Sequence, residues 1–116
     1  MSPEETAAAL DAYLGDEGLD RLAGDAVYTE MGTREEWRGR EAIGKTLNRL
    51  YTVLYDASSH ERHRVVGAGT AAVEYDFKGR RRPGGEEVSI PLCVVYEFAD
   101  GLITNARIYF LSPHEA

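Results

Sequence analysis

The second half of the chain alternates apolar and polar side chains, and this alternation strongly limits the folds that the chain can adopt. In Glu86–Ala99, apolar side chains occupy every second position over most of the segment. A period of two is typical of a β-strand that buries one face. The same pattern runs through Thr70–Gly79 and Leu102–Leu111, and we predict a further strand at His60–Val66. The sequence therefore predicts a meander of antiparallel strands.

The alternation also predicts which face of this sheet is buried. The predicted core-side positions are mostly apolar or aromatic, and they are Val73, Tyr75, Phe77, Val88, Ile90, Leu92, Val94, Tyr96, Phe98, Leu102, Thr104, Ala106, Ile108 and Phe110. The opposite face is mixed, with Val95 and Tyr109 among polar residues. Because a monomer would leave these apolar groups in water, we expect the outer face to form a homodimer interface.

Helical patterns are confined to the first half of the chain. Ser2, Pro3 and Glu5 form the start signal of a helix, with a capping serine, a proline at the first position and a capping-box glutamate. Gly15 is predicted to end this helix. The strongest helical stripe of apolar residues predicts a second helix over Arg40–Tyr55.

The segment between the two helices shows weaker signals. We predict a short helical turn over Leu19–Ala23, a short strand over Ala26–Met31 and an irregular stretch over Thr33–Gly39. Helices that precede a run of strands are typical of an α+β fold, with the helices packed on one face of the sheet. No linker divides the chain, so residues 1–116 are predicted to form one domain.

Composition and charge exclude several classes of protein. The formal net charge of −7 disfavours binding to nucleic acid or to an anionic membrane surface. The longest apolar runs are too short for a membrane span, and no signal peptide is visible. Cys93 is the single cysteine, which excludes an internal disulfide and suits a reducing compartment. We therefore expect a cytoplasmic protein.

Five short segments, in this order, resemble a known family: Asp25–Glu30, Gly39–Ile43, Tyr96–Phe98, Asp100–Thr104 and Arg107–Phe110. The series is similar to the SnoaL-like branch of the nuclear-transport-factor-like superfamily, which includes ketosteroid isomerase, limonene epoxide hydrolase and SnoaL-type polyketide cyclases. The resemblance implies a cone in which helices close a strongly curved, mainly antiparallel sheet around a pocket. It also implies dimerisation through the outer face of the sheet.

The resemblance carries over to individual positions only in part. Glu30 lies where ketosteroid isomerase has its aspartate general base, and Tyr28 and Glu30 lie where the epoxide hydrolase holds its attacking water. Ile108 lies where the hydrolase and the cyclases have an acidic residue. Tyr75 and Phe77 lie nearest to the hydrolase's arginine and second aspartate. The resemblance thus implies that the hydrolase and cyclase machinery is missing and that Glu30 is the candidate catalytic base.

The candidate pocket residues are mostly aromatic, and they are Tyr28, Trp37, Tyr51, His63, Tyr75, Tyr96 and Ile108. Each tyrosine either places its hydroxyl in a pocket or is a core residue whose hydroxyl reaches solvent. Trp37 is either a lid over the pocket or a core plug. Glu30 either faces the pocket as a base with a raised pKa or pairs with Arg34 or Arg38 at the surface.

Histidines offer little evidence for a metal site. His60 and His63 lie three residues apart on a predicted strand, so they are expected to point to opposite faces. We therefore predict neither a metal nor a cofactor, and His63 remains a candidate acid–base partner of Glu30 in the pocket.

Three functional hypotheses follow from these residues. The first is an isomerase- or cyclase-type enzyme that uses Glu30 as the general base on an apolar carbonyl substrate. The second is a domain that binds a small apolar molecule without chemistry. The third is a structural homodimer whose own side chains fill the cavity.

Overall fold

The structure, a computed structural model, describes residues 1–111. The helices are α1 (Pro3–Leu14) and α2 (Arg40–Asn48), and the strands are β1 (Leu22–Glu30), β2 (Glu35–Arg38), β3 (Tyr55–Val66), β4 (Thr70–Arg81), β5 (Glu87–Ala99) and β6 (Leu102–Phe110). A 3-10 turn at Gly18–Arg21 precedes β1, and a π-helical segment at Arg49–Leu54 continues α2. The predicted α+β fold is confirmed. Among residues 1–111, no helix has both the length and the apolar character that crossing a membrane requires.

The strands form a six-stranded sheet in the order β2-β1-β6-β5-β4-β3. Neighbouring strands are antiparallel, except that β1 runs parallel to β6. This parallel contact brings the two predicted halves of the chain together in one sheet. Tyr28 on β1 therefore lies beside Ala106 on β6, and Glu30 lies beside Ile108.

Several predicted boundaries need correction. The first strand begins at Leu22 rather than Ala26, and β2 lies within the stretch that was expected to be irregular. β2 is an exposed edge strand, so its sequence has no apolar alternation, and its pairing with β1 defines it instead. The second helix is regular only to Asn48, and β3 begins at Tyr55, five residues before the predicted start at His60.

The predicted start and end of α1 are confirmed. The Glu5 backbone N–H donates to the Ser2 hydroxyl over 3.0 Å, and the Ser2 N–H donates to the Glu5 carboxylate over 2.8 Å. The Gly15 N–H closes the last turn. Thr6 is fully buried, and its hydroxyl accepts a hydrogen bond from the Gly69 N–H over 2.8 Å. These contacts fix α1 against the turn between β3 and β4.

The core lies between the helices and the inner face of the sheet, as the alternation predicted. The buried sheet residues on this face include Val73, Tyr75, Phe77, Ile90, Leu92, Val94, Tyr96, Phe98, Ala106 and Ile108. The prediction is wrong at the start of β6, where Ile103 rather than Leu102 or Thr104 is buried. A bulge opposite Glu97 and Phe98 shifts the register there and inverts the faces of the preceding residues.

Candidate functional site

A cavity of about 150 Å³ lies between the helices and the inner face of the sheet. Most of its lining is apolar, and the apolar residues are Leu14, Leu47, Leu50, Phe77, Leu92, Val94, Ile108 and Phe110. The remaining lining residues all have a hydroxyl group, and they are Tyr13, Tyr28, Tyr51, Ser59, Tyr75 and Tyr96. We call this space the tyrosine cavity.

The hydroxyl groups of the tyrosine cavity form three hydrogen-bonded pairs. Tyr28 on β1 donates to Tyr13 on α1 over 2.6 Å. Tyr75 on β4 bonds to Tyr96 on β5 over 2.8 Å. In the third pair, Tyr51 of the π-helical segment bonds to Ser59 on β3 over 2.6 Å. Because buried hydroxyls are costly without partners, these pairs let apolar walls include polar groups.

The tyrosine cavity is uncharged near neutral pH. Burial raises the pKa of every tyrosine in its lining above the ordinary value of 10.0, and these are Tyr13, Tyr28, Tyr51, Tyr75 and Tyr96. No carboxylate, amine or guanidinium is among the described residues that line the cavity. The site can therefore offer hydrogen bonds and apolar contact, but no fixed charge.

Contacts between aromatic rings hold these side chains in place. The rings of Tyr13 and Tyr96 meet edge to face with their centroids 5.8 Å apart. The Phe77 ring packs against the rings of Tyr51 and Tyr55, with centroid distances of 5.3 Å and 5.0 Å. The Tyr13–Tyr96 and Tyr55–Phe77 pairs are edge to face, a geometry that favours one relative orientation of the rings, and the Tyr51–Phe77 pair is tilted. The π-helical segment, α1 and the sheet are thus connected through aromatic side chains around the cavity.

A second cavity, of about 350 Å³, lies next to the first, and we call it the acidic cavity. It is lined by polar and aromatic residues that the tyrosine cavity lacks, including Glu30, Glu35, Trp37 and Arg49. The two cavities share four apolar lining residues, which are Leu47, Leu50, Ile108 and Phe110. A layer of apolar side chains therefore separates the charged groups from the tyrosine hydroxyls.

Glu30 lines the acidic cavity and not the tyrosine cavity. Its strand register pairs it with Glu35 on one side and Ile108 on the other, which places all three on the inner face of the sheet. The Glu30 carboxylate accepts hydrogen bonds from the Gly32 N–H at 2.6 Å and from the Thr33 N–H and hydroxyl at 3.2 Å and 3.1 Å. The Glu30 carboxylate, for which the sequence left open a base in the pocket or a partner of Arg34 or Arg38, is thus bonded to the turn that follows β1.

The structure places most of the predicted pocket residues together, with two exceptions. The tyrosine cavity is lined by Tyr28, Tyr51, Tyr75, Tyr96 and Ile108. Trp37 lines the acidic cavity instead, opposite Tyr28 in the β1–β2 pairing. The expectation for His63 needs correction, because His63 is exposed and lies opposite Glu74 on the outer face of the sheet.

A bulge in β3 explains the position of His63. The register with β4 shifts between Glu61 and His63, so one extra residue separates them. His60 and His63 therefore lie on the same outer face, opposite Asp76 and Glu74, and not on opposite faces as predicted. Among residues 1–111, no group of three histidine, cysteine, aspartate or glutamate side chains is placed to hold a metal ion.

Sequence reasoning did not select Tyr13 or Ser59 for the pocket. Tyr13 follows Leu10 at helical spacing on the buried side of α1, so the stripe of apolar residues was a signal for it. Ser59 lies on the inner face of β3, which has small and polar residues instead of large apolar ones. No alternation in the sequence marks that face.

Comparisons with known proteins agree with this architecture. A sequence profile of the SnoaL-like domain matches residues 4–106. Bal32a, from a soil-derived mobile gene cassette, is 20% identical with a TM-score of 0.79, over 95% of this chain and 92% of that chain. No curated protein matches the sequence.

Two further solved structures share the fold. A protein from Jannaschia sp. CCS1, described as a SnoaL-like polyketide cyclase, is 11% identical with a TM-score of 0.81, over 93% of this chain and 86% of that chain. A protein from Kribbella flavida, described as a ketosteroid isomerase, is 22% identical with a TM-score of 0.77, over 97% of this chain and 82% of that chain. The predicted nuclear-transport-factor-like fold is confirmed, and with the profile match across most of its length the chain belongs to the SnoaL-like domain family.

Proposed function

We propose that this protein binds a small, uncharged and mainly apolar molecule in the tyrosine cavity. The observation that supports this is the lining, which combines apolar side chains with paired hydroxyls and includes no ionised group among the described residues. A ligand that enters such a site loses its water, and a charged ligand would lose far more hydration energy than the hydroxyls return. An apolar ligand gains free energy from burial.

The volume of the cavity sets the size of the ligand. A dry apolar cavity of about 150 Å³ is large enough to hold benzene, and the tyrosine cavity has about this volume. The ligand therefore has about one six-membered ring.

The direction of one hydrogen bond indicates which polar group the ligand has. Tyr28 donates its proton to the Tyr13 oxygen, and Tyr13 donates to no residue within 1–111. The Tyr13 hydroxyl is therefore available to donate to a ligand oxygen. A hydroxyl that accepts one hydrogen bond becomes a better donor of another. A ring-sized ketone, with a carbonyl oxygen that only accepts, fits this arrangement.

Titration with three matched probes tests the proposal. Cyclohexanone, cyclohexylamine and cyclohexanecarboxylate share one ring and differ in charge at neutral pH. We expect only cyclohexanone to shift the methyl NMR signals of cavity residues such as Leu92 and Val94. Tyr13→Phe should weaken the affinity of the protein for cyclohexanone about fivefold, since one hydrogen bond to the ligand is lost. Equal binding of the charged probes, or no shift at the cavity methyl groups, would overturn the proposal.

We propose enzymatic activity as a second candidate function, with Glu30 as the general base of an isomerase- or cyclase-type reaction. The observation that favours it is the position of Glu30 on the inner face of the sheet, beside Ile108 and next to the tyrosine cavity. For a substrate that extends past the shared apolar residues into both cavities, Glu30 would take a proton from the carbon next to a carbonyl, and a tyrosine hydroxyl would stabilise the developing oxyanion.

Proton exchange separates catalysis from binding. NMR in deuterated water follows the loss of α-protons from apolar ketones and enones. If the enzyme hypothesis is correct, Glu30→Gln lowers the exchange rate about 100-fold, the usual contribution of one positioned proton-transfer group. Glu35→Gln, a change in the same cavity, is the matched control and should have little effect. Equal exchange with wild type and Glu30→Gln would leave binding as the function.

We also propose a homodimer through the outer face of the sheet. Val65, Ala72 and Val95 form a continuous apolar row across β3, β4 and β5 on this face. Val65 has 61% of its surface exposed, and contact between this apolar row and water is unfavourable unless a second copy of the chain covers the row. Sedimentation should give twice the chain mass of 12.8 kDa, and Val95→Lys should give a monomer.

The matched control for the dimer is Val53→Lys. Val53 is also exposed, but it lies in the π-helical segment and not in the sheet. This variant should stay dimeric. A wild-type monomer at micromolar concentration would contradict the proposed interface.

A further inference from the structure

Three neighbouring side chains on the inner face of the sheet mark the boundary between the two cavities. Ile108 on β6 lies between Val94 on β5 and Glu30 on β1 in the strand register. Val94 lines only the tyrosine cavity and Glu30 lines only the acidic cavity, whereas Ile108 lines both. The boundary between the apolar and the charged space therefore passes through Ile108.

Ile108 differs from the other residues that the cavities share. It is 6% exposed and belongs to a central strand, whereas Phe110 is 37% exposed near the end of that strand. Leu47 and Leu50 are only half-buried on the helical side. A β-branched side chain has few allowed rotamers, so Ile108 cannot easily turn aside. The sheet side of the boundary is thus rigid, and the helical side is more adaptable.

We propose that Ile108 is the residue that limits the ligand to about one ring, by separating the tyrosine cavity from the acidic cavity. This inference rests on the proposed ligand binding and goes further, because it assigns the size limit to one side chain. Shortening Ile108 to alanine would join a space of about 150 Å³ to one of about 350 Å³. A ligand with a second fused ring would then extend from the tyrosine hydroxyls toward Glu30.

Two ketones that differ by one ring test this inference. Cyclohexanone has one ring and decalone has two fused rings, and both have a single carbonyl group. The measured quantity is the ratio of the two affinities, obtained by NMR titration for the wild type, Ile108→Ala, Ile108→Val and Ile103→Ala. Ile103 is fully buried in the same strand and lines neither cavity, so Ile103→Ala is a matched control for lost core volume.

We expect the wild type to bind cyclohexanone and to bind decalone weakly or not at all. Ile108→Ala should raise the ratio of decalone to cyclohexanone affinity at least about tenfold. The second ring buries several more carbons, and the free energy of their burial exceeds what a tenfold gain in affinity requires. Ile108→Val should raise this ratio less. The valine variant tests the same boundary if the alanine variant does not fold. Ile103→Ala should leave the ratio unchanged.

Other results would contradict the inference in distinguishable ways. If wild type binds both ketones equally well, or if Ile108→Ala and Ile103→Ala change the ratio equally, Ile108 does not set the size limit. If wild type binds neither ketone and no cavity methyl signal shifts, the proposed function fails, and this inference fails with it.

Discussion

The hydroxyl of Tyr28 on β1 donates a hydrogen bond to the hydroxyl of Tyr13 on α1, and the two oxygens lie 2.6 Å apart. This bond connects the first helix to β1, the strand whose pairing with β6 brings the two halves of the chain into one sheet. Tyr28 is only 2% exposed, so water cannot readily replace its partner. The pair is therefore both part of the cavity lining and part of what holds α1 in place.

Removing the Tyr28 hydroxyl should lower stability by a measurable amount. Tyr28→Phe keeps the ring and deletes the donor, so we expect the free energy of unfolding to fall by about 1 kcal/mol. Denaturant unfolding followed by circular dichroism measures this change. Tyr55→Phe is the control, because the Tyr55 hydroxyl makes no hydrogen bond within residues 1–111, although its ring contacts Phe77. A larger loss for Tyr55→Phe would contradict the assigned role of the pair.

Alkaline pH should destabilise the fold through the buried tyrosines. Burial raises the pKa of Tyr28 and Tyr96 well above 10.0, whereas an unfolded tyrosine titrates near 10.0. The unfolded state therefore releases protons first, so the stability from these groups is fully present below pH 10 and is lost as the pH rises beyond it. Tyrosinate absorbance should appear in one main step together with the loss of circular dichroism. Ionisation of all tyrosines in a folded chain would contradict this.

Acidic pH should weaken the ion pair between Glu61 and Arg64 on β3, which holds the Arg64 guanidinium beside Asp11 on α1. The Arg64 guanidinium donates to the Glu61 carboxylate at 2.7 Å and to the Asp11 carboxylate at 2.9 Å. Its hydrogen bonds hold the pKa of Glu61 below the ordinary value of 4.5. The stability from Glu61 is thus present above pH 4.5 and is lost as the pH falls through the lowered pKa.

Glu61→Gln should remove this pH dependence. At pH 7 we expect the free energy of unfolding to fall by about 0.2–1 kcal/mol, the usual range for a partly exposed ion pair. Below the lowered pKa, wild type and variant should be equally stable. Glu41→Gln is the control, because Glu41 pairs with Lys45 at the surface over 3.6 Å and takes no part in the ion pairs of Arg64. An unchanged difference at low pH would contradict the prediction.

Glu30→Gln should lower stability, contrary to what burial alone would predict. Neutralising a buried carboxylate that has no partners would stabilise a chain, but Glu30 accepts hydrogen bonds from Gly32 and Thr33. We expect a loss of about 0.5–1 kcal/mol in the free energy of unfolding, because charge-assisted bonds are stronger than those of an amide. Glu35→Gln removes the like charge opposite Glu30 and should be neutral or slightly stabilising.

The sheet was predictable from sequence where one face is apolar and the other polar. Positions such as Tyr75, Val94 and Tyr96 follow a strict period of two, and all are buried as expected. The polar strands β2 and the first half of β3 have no such signal, because edge strands are defined by pairing and not by burial.

The candidate site was predictable only in part, for a related reason. Tyrosines on the inner face could be assigned from periodicity, but the bulge between Glu61 and His63 could not, and it moved His63 to the outer face. The hydrogen bonds that join Glu30 to Thr33 depend on the shape of a turn. Local sequence does not determine how such a turn places its donors.

The parallel contact between β1 and β6 also constrains the order of events in biosynthesis and folding. β1 is made before the other strands, yet one of its two sheet neighbours, β6, is the last strand in the described part of the chain. Until β6 has left the ribosome, β1 and β2 can form only an isolated hairpin, which is marginally stable at best. Contacts between residues so far apart in sequence slow folding. The cavity can therefore close only after β6, which contributes Ile108 and Phe110 to its lining, has been synthesised.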